Sequence, residues 1–278
     1  MPEEVIVPQD AVIGDNTEAL PNLVVVPATG IRYLTPVFTD WTEEEVEYQP
    51  GYKCKIYQPA NDTLDKRPVI ILHTGGGTID ISSLHGLAVE LVKLGYVVVP
   101  AQYKLTVGDG FTEEEQIQAA LNDYILIDFL RKAAVRYGIK KKKFFIIGTS
   151  AGGITASNAG ITGNNTDNPI YKGKAPNIKG CILHTASLSA AALGLYYDLI
   201  QTGGVPNQFF NGAKDPLIPV KQAEATCSKE LAFGIPSFIK VYLNSDHTLG
   251  EHQDIYYNPS YGIIPTFYNK LNIKTPKP

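Results

Sequence analysis

Three nearly continuous apolar runs decide what this chain can fold into: PVIILH (Pro68 to His73), YVVVPAQY (Tyr96 to Tyr103) and FFIIG (Phe144 to Gly148). A strand reads this way when both of its faces are covered, as in a parallel sheet with helices on each side. Segments of helical period separate the runs. Residues 81–94 place Leu84, Leu87, Ala88, Leu91 and Leu94 on one face, and Gly95 is placed to stop that helix. A longer helix is expected from Glu113 to about Tyr137, opening on acids and closing on Arg131, Lys132 and Arg136 as the helix dipole prefers. Further strands are expected at IKGCILHT, VPNQFFNG and FIKVYLN, with helices from Ser150 and near residues 218–233. The expected architecture is α/β: a mostly parallel central sheet with helices on both faces.

Two parts stand outside that alternation. Residues 1–45 carry no helical period and read as an extended arm packing on a single body formed by residues 46–278. Val46 to Pro59 reads as two strands joined at Pro50-Gly51. The run Lys140 to Lys143 reads as a solvated connection, because four adjacent charges cannot all face a core.

Composition narrows the function. With 278 residues, 44% hydrophobic and 19% charged, the chain has material for one sizeable core. A net charge of −4 gives no basic footprint for nucleic acid. No apolar run approaches the ~18 residues that span a bilayer. Cys54, Cys181 and Cys227 form no CxxC pair and read as buried apolar residues, so neither a disulfide framework nor a metal site is expected. The start, Met1-Pro2-Glu3-Glu4, has neither the basic opening nor the apolar stretch of a signal peptide. The compartment stays open: secreted or periplasmic if such a peptide has been removed, cytoplasmic otherwise. The sequons at Asn61 and Asn164 matter only in a glycosylating host. Oligomeric state is not legible.

The chemistry concentrates in a few turns. In open parallel sheets, ligands bind beyond the carboxyl ends of the strands. Gly148-Thr149-Ser150-Ala151-Gly152 fits G-x-S-x-G at such an end. A tight strand-to-helix turn exposes the serine hydroxyl, and its glycines keep side chains out of the crossing of strand and helix. A serine hydroxyl needs a base, and the base an orienting acid. Of the five histidines, His73, His85, His184, His247 and His252, three follow the serine. His184 lies in an apolar strand, and His252 falls one turn beyond His247 toward a helix. His247 sits in SDHTLG, directly after the strand FIKVYLN, where a base belongs. Asp215, in FFNGAKDPLIP, likewise follows a strand, whereas Asp198 has none before it and Asp246 adjoins the base. HTGGG, from His73 to Gly77, offers closely approaching backbone amides for an oxyanion. Nothing resembles a phosphate-binding loop or dinucleotide fingerprint, and no cofactor is required.

These motifs resemble the α/β-hydrolase superfamily, in particular carboxylesterases related to hormone-sensitive lipase and the secreted esterases that deacylate plant polysaccharides. HTGGG resembles the HGGG oxyanion motif of that group, and QYKL (Gln102 to Leu105) its DYRL. GTSAGG resembles its nucleophile elbow, and GAKDPLIP and SDHTLG its acid and base loops. The resemblance covers roughly residues 46–260. It implies a catalytic Ser150, Asp215 and His247, and an oxyanion hole from two of Gly75, Gly76 and Gly77 together with Ala151. Thr74, inserted before the glycines, leaves the choice of pair open. Only the segment from about Ser187 to Pro206, with Tyr196 and Tyr197, and the N-terminal arm are available as a lid, and both are short. A small or absent cap implies short-chain acyl esters, acetyl or aromatic acyl, on a small-molecule or saccharide-linked alcohol. Peptidase, amidase, acyltransferase and non-catalytic binding functions on the same fold remain alternatives.

Overall fold

The computed structural model describes residues 30–64, 66–76, 80–104, 112–163, 181–249 and 251–271. The first 29 residues of the expected arm, Leu105 and Asn164 lie outside them. The described residues build an eight-stranded sheet: β1 (Trp41–Gln49), β2 (Tyr52–Pro59), β3 (Arg67–His73), β4 (Val97–Pro100), β5 (Ile139–Thr149), β6 (Ile182–Leu188), β7 (Asn207–Gly212) and β8 (Ser237–Tyr242). The order across the sheet is β1-β2-β4-β3-β5-β6-β7-β8. The β1–β2 hairpin and the β2–β4 pair are antiparallel, and every other pair is parallel. The strand order reverses around β3, and β5 lies at the centre.

Seven helices accompany the strands: α1 (His85–Lys93), α2 (Glu113–Lys132), α3 (Ala151–Thr162), α4 (Leu195–Asp198), α5 (Val220–Ala232), α6 (Asp254–Tyr257) and α7 (Ile263–Lys270), counted among the described residues. The pleat distributes the apolar runs to both sides. Val69, Ile71, Phe144 and Ile146 pack with the buried residues of α2 and α3, while Ile70, Leu72, Phe145 and Ile147 pack with those of α1 and α7. In β7, Phe209 packs with α5, and Phe210 faces the opposite layer. Both faces are therefore covered, as the continuous apolar runs require. Phe145 stacks on Phe267 of α7 with ring centroids 4.2 Å apart.

Several boundaries differ from the sequence expectation. The expected helix over 81–94 opens as a 3-10 turn, Ile81–Leu84, because the Asp80 carboxylate accepts from the Ser82 amide and tightens the entry. Helix α2 starts on a Thr112–Glu115 capping box but ends at Lys132, not near Tyr137. Beyond it the chain turns through Gly138, at φ +57°, and the Gly138 carbonyl accepts from the Arg67 amide. The lysine run is part of β5 and not a connection. Ile139 pairs with Arg67 and Phe144 with Val69, so the register breaks across the lysines and leaves Lys140 to Lys142 in solvent. The presumed lid is also packed down. Tyr196 is fully buried with its hydroxyl on the Gln116 carbonyl, and the Lys229 ammonium sits over the Tyr197 ring. Only four-residue α4 lies between β6 and β7, so no separate cap domain stands there.

The hairpin edge is charged. Glu43, Glu45 and Glu47 of β1 project on the same side as Lys53 and Lys55 of β2, with Lys53–Glu45 at 2.8 Å and Lys55–Glu43 at 3.6 Å. Before β1, Tyr33 and Phe38 hang on the carbonyls of Leu94 and Lys93, and Arg32 pairs with Asp62.

Two ionisable groups are sealed into the layers. Glu230 of α5 accepts from Ser237, and burial pushes its carboxyl up to about 8. His184 of β6 lies edge-on to Phe267, and burial depresses its imidazole to about 3. Folding holds a proton on Glu230 that the unfolded chain releases near 4.5, so stability falls as pH rises from there through about 8. His184 acts in the opposite sense, withdrawing stability as pH falls below 6.5 toward 3. Chemical denaturation from pH 5 to 9 is expected to show the alkaline fall in the wild type and a flatter profile for Glu230→Gln. Equal slopes in the two proteins would show that Glu230 does not carry it.

Candidate active site

Strand β5 delivers Thr149 to the carboxyl edge of the sheet, and the chain reverses into α3 at Ser150. That residue has φ +53° and ψ −121°, a conformation that non-glycine residues avoid. The glycines around it make the reversal possible. A Cβ on Gly148 would lie 2.0 Å from the Gly152 carbonyl oxygen, and one on Gly152 would lie 2.4 Å from the Thr74 carbonyl oxygen. The Ser150 amide donates to the Leu188 carbonyl (2.8 Å), and its own carbonyl accepts from Ile154 (3.0 Å) to open α3. Ala151 is the first helical residue, so its amide is one of those with no partner inside the helix.

His247 lies in the loop after β8. Its Nε2 is 2.8 Å from Ser150 Oγ, and its Nδ1 is 2.7 Å from Asp215 Oδ2. The carboxylate can only accept, so Nδ1 carries the proton and Nε2 is left to accept from the serine hydroxyl. Asp215, buried after β7, is itself fixed. Its Oδ1 accepts from the amides of Leu217 (2.8 Å) and Ile218 (2.9 Å). The geometry thus brings the three sequence candidates into one hydrogen-bonded chain. Gly212 lets the acid and base loops touch, since a Cβ there would lie 2.0 Å from the Asp246 carbonyl oxygen.

The glycine loop meets this chain backbone to backbone. A Cβ on Gly75 would lie 2.8 Å from Ser150 Cβ, and Gly76 turns at φ +68°. Gly75 therefore abuts the serine, a Cβ on Gly76 would meet open space, and Gly77 lies outside the described residues.

The other candidates have different surroundings. His73 is buried beneath the glycine loop, with Nε2 2.6 Å from Asp123 Oδ1 and Nδ1 3.3 Å from the Ala101 carbonyl. Its ring meets the edge of Tyr103, whose hydroxyl donates to the Thr74 carbonyl (2.7 Å). His85 is exposed at the hydroxyl of Tyr57, and His252 stacks on Tyr242 with Nε2 at Ser245 Oγ. Asp198 faces Lys229. The exposed Asp246 carboxylate accepts from the amide and hydroxyl of Thr248, which hold its pKa below the ordinary carboxylate value. Sequence reasoning missed Asp123, visible as an acid among the apolar positions of α2, and Ser189, whose backbone leaves no trace in composition. Among the described residues, no cluster of three or more His, Cys, Asp or Glu could hold a metal ion, and no helix is long and apolar enough to cross a membrane.

This arrangement on this sheet is the α/β-hydrolase fold. A family model described as BD-FAE matches residues 54–184. Solved structures agree with the fold. Thermogutta terrifontis esterase 2 phosphorylated by paraoxon superimposes with a TM-score of 0.65 at 18% identity, covering 84% of this chain and 96% of that one. A propionate-bound structure of the Thermogutta terrifontis esterase Est2 gives 0.65 at 17% identity, with 84% and 96% covered. The butyrate-bound structure gives 0.64 at 16% identity, with the same coverage. No curated protein matches the chain.

Adding a methyl group separates the glycines by their surroundings. Gly148→Ala forces a carbon into a carbonyl oxygen and is expected to destabilise by about 3 kcal/mol or more. Gly76→Ala, in open space at positive φ, is expected to lose only about 1 kcal/mol. Thermal denaturation of both variants reads the contrast, and equal midpoints would contradict the close packing at the elbow.

Proposed function

We infer that this protein is a serine hydrolase that cleaves short-chain carboxylic esters through an acyl-serine intermediate. The single observation that carries this is the chain Ser150 Oγ–His247 Nε2 at 2.8 Å and His247 Nδ1–Asp215 Oδ2 at 2.7 Å, assembled from three separate loops at one edge of the sheet. His247 takes the hydroxyl proton as Ser150 attacks the ester carbonyl. Asp215 orients the imidazole and stabilises the imidazolium. The amide of Ala151 and those of the glycine loop receive the oxyanion, with the start of α3 supplying a favourable dipole. His247 then protonates the departing alcohol, and water attacks the acyl-serine with the same imidazole as base.

The esterase neighbours and the family-model match support this reading. Propionate and butyrate, bound to the Thermogutta esterase, support a preference for short acyl groups. The packed-down segment between β6 and β7 supports the same preference, since among the described residues it forms no broad roof to shelter a long acyl chain.

Release of nitrophenol from acetyl, butyryl and octanoyl esters tests the proposal. Ser150→Ala is expected to lower kcat by about ten-thousand-fold or more, and Asp215→Asn by about a thousandfold or more. The acetyl and butyryl esters are expected to outrun the octanoyl ester. A Ser150→Ala variant as fast as the wild type would remove the mechanism and leave Ser150 as a helix-entry residue.

A further inference from the structure

We propose that Ser189 is a positioning residue for the base, and that the turn it forms sets nucleophile, base and acid strand in register with one another. The proposal rests on the serine-hydrolase reading above. Among the described residues, four non-glycine residues have positive φ: Tyr33, Asn61, Ser150 and Ser189. One is the nucleophile. Another, Ser189, is fully buried at φ +52° immediately after β6, the strand that neighbours the nucleophile's own.

The bonds of this turn run to the nucleophile elbow, to the strand before Asp215 and to the His247 loop. Leu188 accepts the Ser150 amide (2.8 Å), and Ser187 Oγ donates to the Gly153 carbonyl (3.0 Å). Ser189 N–H donates to the carbonyl of Phe210 (2.6 Å), in the strand that leads to Asp215. Ser189 Oγ donates to the backbone carbonyl of His247 (2.7 Å). Ala190 closes the contact, since a Cβ on Gly153 would lie 2.8 Å from its methyl group. One short segment therefore touches the elbow on one side and, on the other, the His247 loop and the strand that leads to Asp215.

The residue type carries the argument further. Glycine occupies a left-handed backbone freely, whereas a side chain there is disfavoured. What serine adds over glycine is a hydroxyl, and that hydroxyl is spent on the peptide of the base. The His247 side chain makes its own bonds to Ser150 and Asp215, but these fix the ring only if the backbone beneath it is held. Small displacements of a reacting group lower rates steeply.

The test uses the full chain with nitrophenyl butyrate. Ser189→Ala removes the hydroxyl and keeps the strained backbone, while Ser189→Gly removes both. Each is expected to lose about tenfold in kcat, as for one hydrogen bond of ordinary strength, with KM changed by less than about twofold. The glycine variant is expected to unfold at no lower temperature than the alanine variant while remaining as slow. In a Ser150→Ala background neither substitution is expected to lower the residual rate further, because Ser189 acts through the triad. A Ser189→Gly variant with wild-type kcat overturns the proposal, since the turn would then matter only for its shape. A rise in KM at unchanged kcat overturns it too. Failure of the underlying reading shows separately, as a Ser150→Ala variant that keeps the wild-type rate.

Discussion

The rest of the site depends on how closely strand β5 approaches helix α3. Three chain segments cross there with no side chain between them: the end of β5 at Gly148, the first turn of α3 at Gly152, and the loop after β3 at Thr74 and Gly75. That crossing holds Ser150 in a conformation its side chain disfavours, and it brings Gly75 against the same residue. Strain of this kind persists only where the surroundings over-determine it. Here they do, because the Ser150 amide and carbonyl are both bonded and the strand beneath is buried on both faces.

The acid and base reach the serine by the same logic of adjacent strand ends. β5, β6, β7 and β8 are consecutive in the sheet and parallel, so their carboxyl ends open side by side. The proposed nucleophile, Ser150, leaves from the first, Asp215 from the third and His247 from the fourth. The second strand, β6, supplies none of the three proposed catalytic residues. Its end fills the gap, and its bonds tie the other three together. The buried His73–Asp123 pair plays a comparable part below the glycine loop, where it joins the end of β3 to α2.

Much of this was legible in the sequence because it follows from patterns that sequence expresses. Continuous apolar runs announced a sheet covered on both faces, and the glycine spacing around Ser150 announced the elbow. Asp215 and His247 could be ranked above Asp198, Asp246 and His252 because each directly follows a strand. What escaped depended on geometry that no composition encodes. The lysine run looks like a connection because charge repels burial, yet a break in register lets it belong to β5 while its side chains stay in water. Tyr196 looks like a lid residue until its hydroxyl is seen on the Gln116 carbonyl inside the core. Ser189 looks like any serine in a small-residue stretch until its φ is measured.

The hairpin at the far side of the sheet bears on how such a molecule survives in company. An open sheet ends in a row of unpaired backbone groups that can recruit another chain. Among the described residues the outermost strand on this side, β1, carries Glu43, Glu44, Glu45 and Glu47 within nine residues, and the lysines of β2 neutralise only part of that charge. A second copy approaching edge to edge would bring these glutamates close to their own counterparts. Like charge on this border therefore disfavours its pairing with a copy of itself.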